Sequence, residues 1–251
     1  MLTREIQART ILGKTGISAF KYCVNPYVGC QHGCQYCYAS FMKRFTGHLE
    51  PWGDFVDVKI NAPEVLRRQL KRAKKGKVWV SSVTDAYQPL EKKYKLTRGC
   101  LEALLEVQFP VSILTRSPLC LRDIDLFKSF KEIEIGFSIG TDSETVMRAF
   151  EPHSPAIKAR IAALHALHAE GLRTYAFIGP ILPMHPDRLV ERLSGAVDSV
   201  TIDRMNYSNR SLAIYRRHKW ERYLSDEYFA QMGSRLQAGF SAAKIGVFQC
   251  F

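Results

Sequence analysis

The sequence predicts an α/β fold in which parallel strands alternate with helices. From residue 78 onward, runs rich in Val, Ile and Phe alternate with segments of helical periodicity, the pattern of strands buried on both faces of a parallel sheet. The alternation amounts to about six strand–helix units, fewer than the eight of a closed (β/α)8 barrel. Each apolar strand is followed by a polar or Gly/Pro-rich segment, where parallel folds carry their active sites. A chain of 251 residues, 46% hydrophobic and 24% charged, suffices for one such domain with ample core.

Residues 1–22 read as a polar N-terminal extension with turn signals at Gly13 and Gly16. Residues 22–28 are the first expected strand, 39–45 a short helix, and 47–53 a loop containing Pro51 and Trp52. Residues 55–60 alternate as a strand or hairpin arm. Pro63 opens a helix to about residue 75: proline suits the first turn, Val65, Leu66 and Leu70 form an apolar face, and Gly76 stops it. Its other face carries Arg67, Arg68, Lys71, Arg72, Lys74 and Lys75, which suits either a solvated outer face or a dock for a polyanion. Strands are then expected at 78–83, 111–115, 133–139, 172–179 and 199–205, and helices at 97–108, 121–130, 154–169 and 186–195. Gly171 is a favoured residue just past a helix end. Residues 206–251 read as a C-terminal segment with helices around 216–224 and 227–237 and the tail Val247-Phe248-Gln249-Cys250-Phe251.

No run of about 18 apolar residues exists, so no membrane span is expected. The N-terminus lacks the apolar core of a signal peptide, which makes the cytoplasm the expected location. Seven cysteines there point to metal binding or catalysis rather than disulfides. Cys100 and Cys120 lie among apolar neighbours and read as core thiols. The net charge of +12 favours polyanionic partners such as nucleic acid. Arg210, Arg216, Arg217, His218, Lys219 and Arg222, interleaved with Tyr215, Trp220 and Tyr223, have the composition of a nucleic-acid surface. A packed amphipathic helix is the other reading. His165 and His168 have metal-like spacing, but no cysteine or carboxylate joins them, so one is expected to be packed and the other solvated.

The chemistry concentrates in Asn25-Pro26-Tyr27-Val28-Gly29-Cys30-Gln31-His32-Gly33-Cys34-Gln35-Tyr36-Cys37-Tyr38. Three cysteines at Cys-x3-Cys-x2-Cys spacing let one short loop turn three thiolates onto one object. Thiolates select iron–sulfur clusters, zinc or copper. Three thiolates on a four-iron cluster leave one iron open for chemistry. Cys30, His32, Cys34 and Cys37 could alternatively supply a four-ligand zinc site.

The spacing, with Tyr36 before the last cysteine, resembles the cluster loop of radical S-adenosylmethionine (SAM) enzymes. The longer stretch from Asn25 to Ala39 is similar to the branch related to spore photoproduct lyase (DNA repair photolyase-like). The resemblance covers roughly residues 20–205. It implies a partial (β/α)6 TIM-type barrel over 23–205 with a helical C-terminal extension. It also implies a 4Fe-4S cluster on Cys30, Cys34 and Cys37, with SAM chelating the open iron. One electron would break a C–S bond of SAM, and the 5′-deoxyadenosyl radical would take hydrogen from substrate. A reductant such as flavodoxin or ferredoxin would supply the electron.

The resemblance also assigns SAM contacts. Thr84 and Asp85, in Thr84-Asp85-Ala86-Tyr87-Gln88-Pro89-Leu90-Glu91, would face the methionyl end. Arg116 would bind the carboxylate, for which a guanidinium fork is suited. Ser138 would contact the ribose or carboxylate, and Tyr36 with the Ile178-Gly179 backbone would flank the adenine. Glu151, in Glu151-Pro152-His153-Ser154-Pro155, would lie at the pocket rim. Spore photoproduct lyase uses a cysteine as hydrogen-atom donor where this alignment places Ser82. A hydroxyl holds its hydrogen too firmly for that task, so the lyase's own repair step is not implied. Tyr22, Tyr27, Tyr38, Tyr87 and Cys250 are other conceivable donors. Three functions remain open to the sequence: radical SAM chemistry on nucleic acid, the same chemistry on a peptide or small metabolite, and a non-catalytic zinc-bound nucleic-acid-binding module.

Overall fold

The N-terminal residues expected as an extension instead form two strands, β1 (Leu2–Ile6) and β2 (Leu12–Lys14). The computed structural model describes residues 1–251. It consists of two units, residues 1–33 with 39–135, and residues 34–38 with 136–251.

In the first unit the expected strand 22–28 is two strands, β3 (Tyr22–Val24) and β4 (Tyr27–Val28). Pro26 between them has no N–H to give a ladder. Asn25 is used instead as a side-chain clasp: its Oδ1 accepts from Val83 N at 3.0 Å and its Nδ2 donates to Ser82 Oγ at 3.2 Å. β5 (Phe55–Lys59) pairs parallel with β1 and antiparallel with β4. Tyr27, Val56 and Val58 pack with Leu96 as a buried cluster.

α1 (Ala62–Leu70) ends before the expected residue 75. Its Arg67 donates to Glu106 at 2.8 Å, so part of the basic face is engaged with the helix described next but one. β6 (Val78–Val80) stops early because Ser81 takes a left-handed φ of 64°. α2 (Glu91–Tyr94), α3 (Leu96–Glu106), β7 (Val111–Thr115) and α4 (Ile124–Phe127) follow. The strand order is β2-β3-β6-β7. β3, β6 and β7 run parallel, and β2 is antiparallel to β3.

β8 (Ile133–Ser138) begins in the first unit and ends in the second. A helix absent from the sequence reading, α5 (Glu144–Phe150), comes next. Ser143 caps it, and Val146, Met147 and Phe150 are buried. Then come α6 (Ile157–Ala169), β9 (Arg173–Ile178), α7 (Pro186–Leu193) and β10 (Ser199–Ile202). Where the sequence predicts one helix at 216–224, α8 (Ser208–Arg217) ends and a 3-10 turn (Glu221–Leu224) follows, with the left-handed Lys219 between them. α9 (Asp226–Ala242) is longer than expected, and the tail is a strand, β11 (Gly246–Gln249), rather than part of a purely helical extension. The order is β8-β9-β10-β11, with β9, β10 and β11 parallel. No helix is long and apolar enough to cross a membrane.

Candidate functional site

Gly29 opens the cysteine loop with φ of 91°, and a Cβ there would lie 2.2 Å from the Phe55 carbonyl oxygen. Only glycine can make this close turn. The segment after β6 then grips the first half of the loop with uncharged groups. Thr84 Oγ1 donates to Gly29 O at 2.7 Å and accepts from Gln88 Nε2 at 3.0 Å. Gln88 Oε1 accepts from Gln31 N at 3.0 Å, and Gln31 Oε1 accepts from Leu90 N at 2.6 Å. Gln88 is fully buried, so these amide bonds face no competition from water.

Asp85 ties the same loop to the end of β7. Its carboxylate accepts from Tyr87 N at 2.8 Å, Thr115 Oγ1 at 2.6 Å and Arg116 N at 2.8 Å. It also lies 3.4 Å from His32 Nε2. Burial by itself would raise the Asp85 pKa, but the His32 ring, Thr115 and Arg116 outweigh it and hold the carboxyl well below its usual range. Thr84 and Asp85, expected at the methionyl end of SAM, therefore direct these bonds at the loop and at Arg116. His32, the nitrogen ligand of the zinc alternative, is turned to Asp85. No three His, Cys, Asp or Glu side chains converge as a site for a single ion.

Three of the conceivable hydrogen donors are committed elsewhere. Tyr22 donates to Lys74 O at 3.0 Å, Tyr27 donates to Glu91, and Tyr87 donates to Asp123 at 3.0 Å. Burial, followed by the carboxylates they face, pushes the Tyr27 and Tyr87 phenols up. Cys100 and Cys120 are fully buried, and burial raises both thiols, as expected of core residues. No disulfide joins any of the seven cysteines.

The second half of the loop belongs to the other unit, and charged groups hold it. Cys37 N donates to Cys34 O at 3.1 Å, and Gln35 N donates to Phe150 O, at the end of α5, at 2.8 Å. Tyr36 OH donates to Glu151, and Arg160 from α6 pairs with the same carboxylate. Arg160 also donates to Ser138 O at 3.0 Å and Pro155 O at 2.9 Å. Glu151, expected at a rim, is 1% exposed: the buried guanidinium, not solvent, compensates its charge. Ser138 is buried at the end of β8. Ile178 closes β9, where its carbonyl accepts from Asp203 N at 3.0 Å. Gly179 follows, and a Cβ there would meet the Phe177 ring at 2.4 Å. Arg210 from α8 donates to Cys37 O at 2.7 Å. His165 is exposed and lies 3.4 Å from Arg192 O, whereas His168 is half-buried against Thr174 Oγ1 at 3.1 Å.

Sequence reasoning missed Gln31, Gln88 and Arg210 as residues that hold the loop. The partners of Gln31 and Gln88 lie 57 to 59 residues apart and Arg210 reaches Cys37 across 173, and nothing in a neutral amide or a surface arginine marks such a partner in advance.

Residues 24–193 match the family described as the Radical SAM superfamily. An uncharacterized protein of Methanocaldococcus jannaschii is 43% identical over 179 residues, 71% of this chain and 67% of that protein. A radical SAM Nalpha-GlyT isomerase of Pseudomonas phage M6 is 27% identical over 204 residues, 77% of this chain and 42% of that protein. Among solved structures, a spore photoproduct lyase variant with bound AdoMet (SAM) and dinucleoside spore photoproduct has a TM-score of 0.70 to this chain. That likeness covers 98% of this chain and 81% of the lyase at 16% identity, and is one of fold.

Proposed function

This chain belongs to the radical SAM superfamily, and from that premise we propose that Cys30, Cys34 and Cys37 hold a 4Fe-4S cluster used to cleave SAM reductively, with nucleic acid as the substrate class. The observation that carries the reading is a cysteine loop fastened along both halves. Its glycine turn leaves no room for a side chain, and it supplies three soft donors. Superfamily membership sets aside the non-catalytic zinc module. The strands in this reading are arranged as a partial (β/α)6 barrel, and a cytoplasmic flavodoxin or ferredoxin is the electron source.

A cluster held by Cys30, Cys34 and Cys37 would supply one-electron reduction of SAM and, through it, hydrogen abstraction from substrate. The protein's task is positioning. Arg116, its backbone fixed by Asp85, offers a guanidinium to the SAM carboxylate. Thr84 and Asp85 keep the loop and Arg116 in place. Tyr36, Ser138 and the Ile178-Gly179 backbone hold the nucleoside end, with Glu151 steadying Tyr36. Ser82 Oγ accepts from Asn25, and no thiol stands there, so the repair step of spore photoproduct lyase is not part of the reading. The net charge of +12 supports a nucleic-acid substrate, as does a structural neighbour solved with a dinucleoside.

The test is anaerobic reconstitution, reduction, and measurement of 5′-deoxyadenosine with and without oligonucleotide. Formation of 5′-deoxyadenosine, increased by oligonucleotide, supports the reading, and its absence in both cases overturns it. Arg116→Ala is expected to weaken SAM binding by about 1.5–3 kcal/mol, the worth of a hydrogen bond to a charged group, with iron content unchanged. Unaltered SAM affinity would remove Arg116 from the site.

A further inference from the structure

Beside Cys37 lies a surface that the SAM chemistry does not use. Tyr207 is 51% exposed and Tyr38 is 39% exposed. Their rings are nearly parallel, at 22°, with centroids 6.4 Å apart. The Arg210 guanidinium lies 5.8 Å from the Tyr207 ring centroid while one of its nitrogens holds Cys37 O at 2.7 Å. The patch is thereby fastened to the last cysteine of the loop.

α8 extends the patch into a track. Beyond Tyr207, at the start of α8, Arg210, Ala213 and Arg217 recur at helical spacing and are all exposed, whereas Tyr215 on the opposite face from them is buried. The stripe is about 15 Å long, at ~1.5 Å per helical residue. Between residues 204 and 222 there are six cations (Arg204, Arg210, Arg216, Arg217, Lys219 and Arg222) against one carboxylate, Glu221. All seven are exposed.

We propose that this face binds single-stranded nucleic acid, with phosphates along the Arg210–Arg217 stripe and a base stacked on the Tyr38/Tyr207 pair next to Cys37. The proposal rests on the nucleic-acid reading above and deepens it by giving the substrate a place and a strand state. Cations alone would suit any polyanion. Exposed flat rings among them suit unpaired bases, whose faces are available for stacking as those of a duplex are not. An acidic peptide would leave the rings without a matching surface.

The experiment titrates a fluorescein-labelled oligothymidylate of about 12 nucleotides, within the span one binding module covers, into the full chain without SAM. Tyr207→Ala is expected to weaken binding on the order of tenfold, and Tyr207→Phe to bind like the parent. Arg217→Ala should make the dependence of log affinity on log salt shallower by about 0.7, the share of one phosphate contact on a single strand. Arg68→Ala, on the exposed face of α1, should change neither quantity. Parent-like binding by both Tyr207→Ala and Arg217→Ala would overturn the proposal. So would an equal loss in Arg68→Ala, or equally good competition by polyglutamate of the same length. Because binding is read without SAM cleavage, retained binding with failed cleavage would remove only the radical reading. Active cleavage with parent-like binding in the variants would remove only this surface.

Discussion

The two halves of the cysteine loop are held by different physics. From Gly29 to Gln31, Thr84, Gln88 and Leu90 form a mesh of uncharged hydrogen bonds, each worth about 0.5–1.5 kcal/mol net. From Cys34 to Tyr38 the anchors are charged: the Glu151–Arg160 pair behind Tyr36, and Arg210 on the Cys37 carbonyl. A mesh of weak bonds loses strength a little at a time. A buried ion pair fails all at once, because removing one partner leaves the other charge without compensation. The first half is also joined through Asp85 to the backbone of Arg116, the residue proposed to bind the SAM carboxylate. The second half sets the position of Tyr36 and Cys37.

The largest expected effect breaks the charged half. Arg160→Met takes away the guanidinium that faces the buried Glu151 carboxylate and should cost about 3–5 kcal/mol of stability, read as a lower urea midpoint. Arg160→Met combined with Glu151→Leu should recover most of it, because no charge is then stranded. A loss below about 1 kcal/mol in the single variant would mean the pair behaves like an exposed one and the contrast between the halves is void. Next is the neutral half. Gln88→Ala leaves the Gln31 N–H without its acceptor and should cost about 1–3 kcal/mol, with faster bleaching of the reconstituted chromophore in air. Unchanged stability and bleaching would show that the 84–90 segment does not hold the loop. The smallest effect sharpens the assignment of Thr84. Thr84→Val removes the bond to Gly29 O and the one accepted from Gln88 Nε2 and should cost about 0.5–1.5 kcal/mol for each with SAM affinity unaltered. A drop in SAM affinity at full iron content would place Thr84 at the cofactor.

The alternation of strands and helices from residue 78 was legible because buried parallel strands are written as β-branched runs, as in Val78–Val80 and Val111–Thr115. The cysteine loop was legible because ligand spacing is local. β1 was not: every residue from Leu2 to Glu5 is exposed, so no burial pattern marks it. β3 and β4 read as one strand because the clasp made by Asn25 depends on Ser82 and Val83, far along the chain. α8 was misplaced because its start, Ser208-Asn209-Arg210, reads as a polar turn, and only Ser211 and Tyr215 along it are fully buried. The SAM-contact residues were taken from a resemblance of motifs. Motifs record which residue types recur but not that Asp85 accepts from Thr115 and the Arg116 backbone, or that Glu151 pairs with a buried guanidinium.

The most direct measurement of the central claim is the iron and sulfide content of four anaerobically reconstituted proteins: the parent, Cys34→Ala, Cys37→Ala and Cys100→Ala. The account predicts about four irons and four sulfides per chain and a brown chromophore in the parent and in Cys100→Ala, with both lost in Cys34→Ala and Cys37→Ala. A full four-iron cluster in Cys34→Ala, or about one zinc per chain and no sulfide in the parent, would contradict it.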